Sequence, residues 1–309
     1  MYNRPPMRLW GILAGLTAAA IWGGMYVVSK VVLTVVPPFL LLSLRLVLGA
    51  GVLAVIVARV GGLNLPRSKV WEILGVGALG FGVSVGLQFV GTSLSTAANA
   101  SLVTSASPAF LLLFGAVILH ERITLRRLLA LVVASAGVVA VVDPRLARFD
   151  PSMFRGNLAL LGAAITWGLY SVLIRRVSPA AGTIQVSLLA LLGGLIVSLP
   201  MTVVESSSAL AGPLTPGLIA GILYLGVVST ALAMYLWNKS LAILEAGHVS
   251  LLFFAQPVVG AGLGALVLHE RLTGGFWLGA VLIGAGLLLA ALPGGPADQL
   301  AITAAAGES

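Results

Sequence analysis

Apolar residues run through the chain in ten windows, centred near Ala20, Val47, Gly82, Phe110 and Val133, then near Trp167, Ala190, Leu225, Gly260 and Ile283. Polar and charged residues fall mainly in the short connections between them. A membrane-spanning helix takes roughly 20 residues, so ten windows use about two thirds of the 309 residues and leave no room for an extramembrane domain. The pattern predicts an all-α integral membrane protein with ten transmembrane helices.

The windows fall into two sets of five because the sequence repeats itself. Pro108 opens an apolar stretch that closes on His120, Glu121, Arg122 and Thr124, and Pro257 opens one that closes on His269, Glu270, Arg271 and Thr273. The offset is 149 residues (257 minus 108), and it also maps Ser101 onto Ser250 and Asn99 onto His248. Further upstream, Trp22-Gly23 with Tyr26 corresponds to Trp167-Gly168 with Tyr170. Five is odd, so the second set enters the bilayer from the opposite side, which is an inverted-topology repeat. The expected units are residues 1–145 and 146–293, each a five-helix repeat, followed by a disordered tail over 294–309.

Composition supports the membrane reading, with 59% hydrophobic and 8% charged residues against about 25% charged in an ordinary soluble domain. A net charge of +8 would point to nucleic acid in a soluble protein, but here the cations sit between apolar runs, facing lipid headgroups. With the N-terminus inside, eleven basic residues fall on the inner side and five on the outer. The bias predicts cytoplasmic N- and C-termini. Arg4 and Arg8 precede a first apolar run that continues to about Val36, too long for a signal-peptide core, so a retained first span is expected. Thr124 and Thr273 are expected to cap the helices that follow them, and Pro37-Pro38 to separate the first two spans. The absence of cysteine excludes disulfides and thiolate metal sites.

Polar side chains inside a span are costly and need a partner or a watery cavity. The candidates are Arg45, Gln88, Asn99, Asn238, His248 and Gln256. Arg45 either snorkels to the outer headgroups or meets an anion in a cavity. Asn99 and His248, at matching positions, either cap helices or bind substrate. Pro108 and Pro257 leave the carbonyls of Thr104 and Phe253 without their usual donor, either as passive kinks or as interruptions beside a binding site. Trp22 and Tyr26, spaced i, i+4, and Trp167 and Tyr170, spaced i, i+3, share helix faces well inside their spans, where a cavity lining is favoured over a headgroup belt.

There is no phosphate-binding glycine loop with its lysine, and none of the nine acids is central to a span. No paired histidines offer a metal site, and no cofactor is implied. An intramembrane enzyme and a non-transporting assembly protein are the rival classes. His248 is the remaining titrating group near a cavity, so flux is expected to follow the substrate gradient without a strict proton requirement.

The ten spans, the five-plus-five duplication, the Trp-Gly opening of each repeat and the closing Glu-Arg-aliphatic-Thr at Glu121–Thr124 and Glu270–Thr273 resemble the EamA family of the drug/metabolite transporter superfamily. Arg45 is similar to an arginine such proteins often carry early in span 2. The chain departs from the commonest pattern in having histidine before each Glu-Arg, where glycine is frequent. The resemblance implies a bacterial inner-membrane carrier, commonly an exporter of amino acids, other metabolites or drugs, with a cavity between the halves. The expected reading is therefore alternating access by spans 1, 3, 4, 6, 8 and 9. Substrate contacts are expected at Trp22, Tyr26, Arg45, Gln88, Asn99, Trp167, Tyr170, Tyr235 and His248, with structural or gating roles for Pro108, Pro257, Glu121, Arg122, Glu270 and Arg271. The expected partners are a small organic solute and the lipid bilayer, with no nucleic acid.

Overall fold

The computed structural model describes residues 5–94, 103–142, 154–205, 212–268 and 274–291. Asn99, His269, Glu270, Arg271, Thr273 and the tail from 294 lie outside them. Among the described residues the chain is all helical, with no strand. The helices are α1 (Pro5–Val32), α2 (Pro38–Arg59), α3 (Arg67–Leu94), α4 (Ser107–Leu119), α5 (Leu125–Val142), α6 (Phe154–Val177), α7 (Thr183–Glu205) and α8 (Pro216–Ile243), followed by α9 (Ala246–Leu252), α10 (Ala255–Leu268) and α11 (Gly274–Ala291). Six of them, α1, α2, α3, α6, α7 and α8, are long and apolar enough to cross a membrane; Ser107–Leu119, Ala246–Gly260 and Trp277–Leu289 are shorter apolar segments.

Local chemistry places the boundaries. Pro38 stands at the start of α2, where its missing N–H costs nothing. Thr124 accepts the Arg127 N–H (3.3 Å) at the start of α5, as expected of a cap. Pro108 and Pro257 do not kink continuous helices. The chain turns at 105–106 and 253–254, and each proline sits in the first turn of a new helix, α4 or α10. Nor is the Phe253 carbonyl left without a donor, because the turn brings the Gln256 N–H to it at 3.1 Å. Tight turns re-satisfy the backbone that proline would otherwise strand.

Large apolar side chains such as Val47, Val55, Val117, Ile196 and Leu199 are exposed, which suits lipid as the surrounding solvent. The six tryptophans divide cleanly: Trp10, Trp71 and Trp277 are exposed near helix starts, whereas Trp22, Trp167 and Trp237 are buried in the middle of the bundle. The first three have the placement of interfacial anchors.

Helix packing comes in matching pairs. α1 lies against α8 and α10, and α6 lies against α3 and α4; α2 packs on α7, and α5 on α11. Small residues bring the backbones together. A Cβ on Gly23 would stand 2.7 Å from the Gln256 carbonyl oxygen, and one on Gly168 would stand 2.9 Å from the Leu111 nitrogen. Ala190 receives α3, where a Cβ on Gly77 would fall 2.1 Å from the Ala190 oxygen. Gly284 faces open space, and α5 meets α11 through Gly137 and Gly286. Both α3 and α8 contain a wider π-helical stretch, Ala78–Ser84 and Tyr224–Leu232.

Candidate functional site

A central cavity lies where α1, α2, α3, α4, α6, α8 and α10 converge, lined among others by Trp22, Tyr26, Arg45, Gln88, Trp167 and Gln256. Its volume is about 30 Å³, room for about two waters at the ~10–15 Å³ each requires. It is a narrow slot in this conformation, with a mainly apolar wall and a few polar side chains.

The π-helical stretch of α8 lies behind the wall and bonds to two of the lining side chains, Trp22 and Arg45. Such stretches interrupt the α-helical bonding pattern and are frequent at functional sites. The Ser229 carbonyl accepts the Trp22 indole N–H at 3.0 Å. Thr230 donates to the Leu225 carbonyl (2.7 Å) and accepts the Arg45 Nε–H (2.8 Å). On the opposite wall, Ser84, at the end of the π-helical stretch of α3, donates to the Ala163 carbonyl at 2.8 Å. Tyr26 and Thr104 share a hydrogen bond at 3.0 Å.

Arg45 is only 1% exposed, so it does not snorkel. Its other contacts are Met25 Sδ (3.4 Å), Ser229 Oγ (3.5 Å) and the face of Phe89, 5.3 Å from the ring centroid. Every partner is uncharged. Two further polar atoms at the cavity, Trp167 Nε1 and Gln256 Oε1, are buried without a hydrogen-bond partner. Unmet polar atoms of this kind are rare in proteins and need a reason.

Beside the slot the aromatic rings stack into one layer. Trp22 meets Trp167 edge-on at 5.5 Å and Trp237 at 5.3 Å, and Phe253 lies 6.0 Å from Trp22 and 5.6 Å from Trp237. Tyr170 is held elsewhere, donating to Asn238 Oδ1 at 3.0 Å while Asn238 donates to Ser187 at 3.0 Å. Tyr170 is fully buried against Phe81 and is not part of the cavity wall. Tyr235 is half-buried and also absent from it; Trp237, two residues on, is the α8 aromatic that joins the layer. Trp237, Met25, Ser84, Thr104, Ser107 and Phe253 are site residues that sequence reasoning missed.

His248 lies away from the slot, beside an apolar pocket of about 190 Å³ lined also by Arg8, Leu16 and Leu287. Arg127 reaches its Nδ1 at 3.0 Å. An arginine has only donors to offer, so Nδ1 accepts in this contact, and Glu245 Oε2 lies 3.4 Å from the same nitrogen. Arg127 also pairs with Glu245 and donates to the Arg122 carbonyl at 3.0 Å. The Arg122 side chain itself is exposed.

Glu121 holds this end of the bundle together. Its two carboxylate oxygens accept the Ala246 N–H (2.8 Å) and the Gly247 N–H (3.0 Å) at the start of α9, and it pairs with Arg175 at the end of α6. Helix N-termini leave such N–H groups unbonded and favour negative charge. At the other end Glu205 does the same for α2, accepting the Phe39 and Leu40 N–H groups at 2.7 and 3.2 Å. His120 closes α4 in the left-handed conformation with φ 54°, a geometry that costs any side chain and suits glycine. Among the described residues no three His, Asp or Glu side chains group closely enough to hold a metal ion.

The EamA-like transporter family profile matches residues 9–142 and again 154–292. The chain belongs to the EamA-like transporter family. It is 30% identical over 299 residues to a probable amino-acid metabolite efflux pump of Escherichia coli K12, covering 90% of this chain and 93% of that one. The corresponding Salmonella typhimurium protein is 31% identical over 287 residues, with the same coverage. Protein PecM of Dickeya dadantii is 27% identical over 276 residues, covering 88% and 89%. A solved crystal structure superposes with a TM-score of 0.78 over 91% of this chain and 96% of the other, at 23% identity, a likeness of fold. The chain is thus a multi-pass membrane protein of a transporter family, with a small-molecule substrate and a lipid environment.

Proposed function

We propose that the chain is a secondary transporter of the bacterial inner membrane that exports a small amphipathic organic metabolite by alternating access. The observation that carries this reading is the central slot, which both halves of the chain line with polar side chains and where Trp167 and Gln256 hold buried polar atoms without partners. Relatives named as probable amino-acid metabolite efflux pumps make amino acids and their derivatives the first solutes to test.

The mechanism rests on ten spans arranged as two inverted repeats, residues 1–145 and 146–293, with both termini in the cytoplasm. Three observations support it: the reciprocal packing of α1 on α8 and α10 and of α6 on α3 and α4, the paired π-helical stretches, and the paired helix breaks ahead of Pro108 and Pro257. Interrupted helices at matching positions are a mark of transporter binding sites. Bonds from Glu121 to Arg175 and α9 tie the first half to the second at the end that carries Arg8 and His248. That end is the cytoplasmic gate, closed here, and the aromatic layer around Trp22 seals the slot above it. Opening to the cytoplasm breaks these bonds and widens the slot to admit solute.

Cells expressing the chain, loaded with a panel of amino acids and their metabolites, should release at least one of them chemically unchanged and faster than control cells. Release of an altered product would mark an enzyme. No release of any solute, with the protein inserted at normal levels, would overturn the transporter reading.

A further inference from the structure

We infer that the central slot is an anion site, which selects a solute bearing one carboxylate and no ammonium, and that Arg45 is the residue that reads the charge. The inference rests on the transporter reading above and narrows its substrate class.

A guanidinium offers five N–H donors in a planar fork. Three bonds engage Arg45, one of them to a thioether and one at 3.5 Å. Two N–H groups remain for a ligand, on a side chain 1% exposed that lines the slot. A buried charge is normally matched by an opposite one. Here its partners are Thr230, Ser229, Met25 and the Phe89 ring, all neutral. The described carboxylates are engaged elsewhere: Glu121 and Glu245 at the gate, Glu205 on α2, and Glu72 with Lys69. A carboxylate is the planar, two-oxygen acceptor that the fork fits.

The rest of the slot argues against an accompanying ammonium. Three N–H groups of an ammonium need acceptors or a counter-charge when desolvated. The slot's amide acceptors are the buried, unbonded Gln256 Oε1 and that of Gln88, with no carboxylate beside them, and its buried free donor is Trp167 Nε1. Two neutral acceptors fall short of the three an ammonium needs. The aromatic faces that would attract a cation are packed on one another, Trp22 against Trp237 and Phe253. A zwitterion would leave the slot with the +1 charge of Arg45 uncancelled, whereas a monoanion neutralises it. Export of a monoanion moves one negative charge outward, a direction that an inside-negative potential favours.

The test uses three probes that share one ring, 3-phenylpropionate, its neutral amide and phenylalanine, titrated against the full-length protein in lipid nanodiscs by quenching of its tryptophan fluorescence. The carboxylate should bind at least tenfold more tightly than either of the others. Arg45→Gln should erase that preference, lowering carboxylate affinity by roughly thirtyfold or more while leaving the amide unchanged. Arg45→Lys keeps the charge without the fork and should keep the order of preference with weaker binding. Equal binding of acid and amide by the native protein, tighter binding of phenylalanine, survival of the preference in Arg45→Gln, or no binding of any probe would each overturn the inference. The same protein in vesicles separates the two levels: transport of solutes without a carboxylate preference leaves the transporter reading standing and removes only this one.

Discussion

Glu121→Gln is the sharpest perturbation of the proposed cytoplasmic gate, because it keeps the shape of the side chain and removes its charge. In the native protein one carboxylate receives the Ala246 and Gly247 N–H groups at 2.8 and 3.0 Å and pairs with Arg175. An amide oxygen retains one N–H bond, weakened from the charged class of about 1.5–3 kcal/mol to the neutral class of about 0.5–1.5 kcal/mol. The other N–H is left facing an amide NH2. The ion pair is intermediate between surface and buried, with Glu121 9% and Arg175 26% exposed, so it contributes about 1 kcal/mol, between the surface value and the buried one. Together these losses come to about 3.5–5.5 kcal/mol, or roughly 400- to 10,000-fold in favour of the open gate. The chain contains no cysteine, so a reporter is simple to add. Ser240 is fully buried on α8, one turn past Trp237 towards the gate. In a Ser240→Cys protein, Glu121→Gln should speed modification by an impermeant thiol reagent applied from the cytoplasmic face by at least tenfold. An unchanged or slower rate, with the protein folded, would refute the gate.

His120→Gly relieves the left-handed φ of 54° and should raise thermal stability by about 1 kcal/mol; His120→Val should lower it. Gly23→Ala forces a methyl to 2.7 Å from the Gln256 oxygen and should cost about 1–3 kcal/mol, whereas Gly75→Ala, which meets nothing within 4 Å, should leave the melting temperature unchanged. Tyr170→Phe breaks the bond to Asn238 and should lower stability by about 1 kcal/mol without changing solute affinity, while Trp167→Phe should weaken solute binding; calorimetry and binding titration together distinguish the two. Single cysteines at Arg126 and Gly274 should react with an impermeant reagent from opposite faces of the membrane, and reaction from the same face would end the inverted repeat.

Helices were legible because apolar windows and prolines report on lipid and on the missing backbone donor, both local properties. Trp22, Tyr26, Arg45, Gln88 and Trp167 were legible as lining for the same reason: a polar or large aromatic side chain deep in a span has few places to go, and the structure puts these five on one cavity. Tyr170 and Tyr235 were not separable from them by sequence, since which side of a helix faces the slot depends on α3 and α7 packing against it. The missed residues carry a signal that spacing alone could have given. The offset of 149 that links the two Glu-Arg closings also links Gln88 to Trp237, Thr104 to Phe253 and Ser107 to Gln256. Each pair places one residue from each half on the slot or its aromatic layer. His248 was misplaced because its position at the head of α9 says nothing about Arg127, 121 residues away, which holds it apart from the slot. The histidine that replaces glycine at position 120 has a physical cost in its φ, and no contact in the structure explains why it is kept.

The account stands or falls on whether solute passes through the slot as the gate opens and closes. The direct measurement is accelerated exchange in vesicles carrying the purified protein: a labelled solute taken from the efflux screen is loaded inside, and unlabelled solute is added outside. With the pH difference and the membrane potential both collapsed, external solute should speed loss of the label severalfold, and Trp22→Ala should abolish the acceleration in folded protein. Label that leaves at the same rate with or without external solute, or exchange that Trp22→Ala leaves intact, would contradict it.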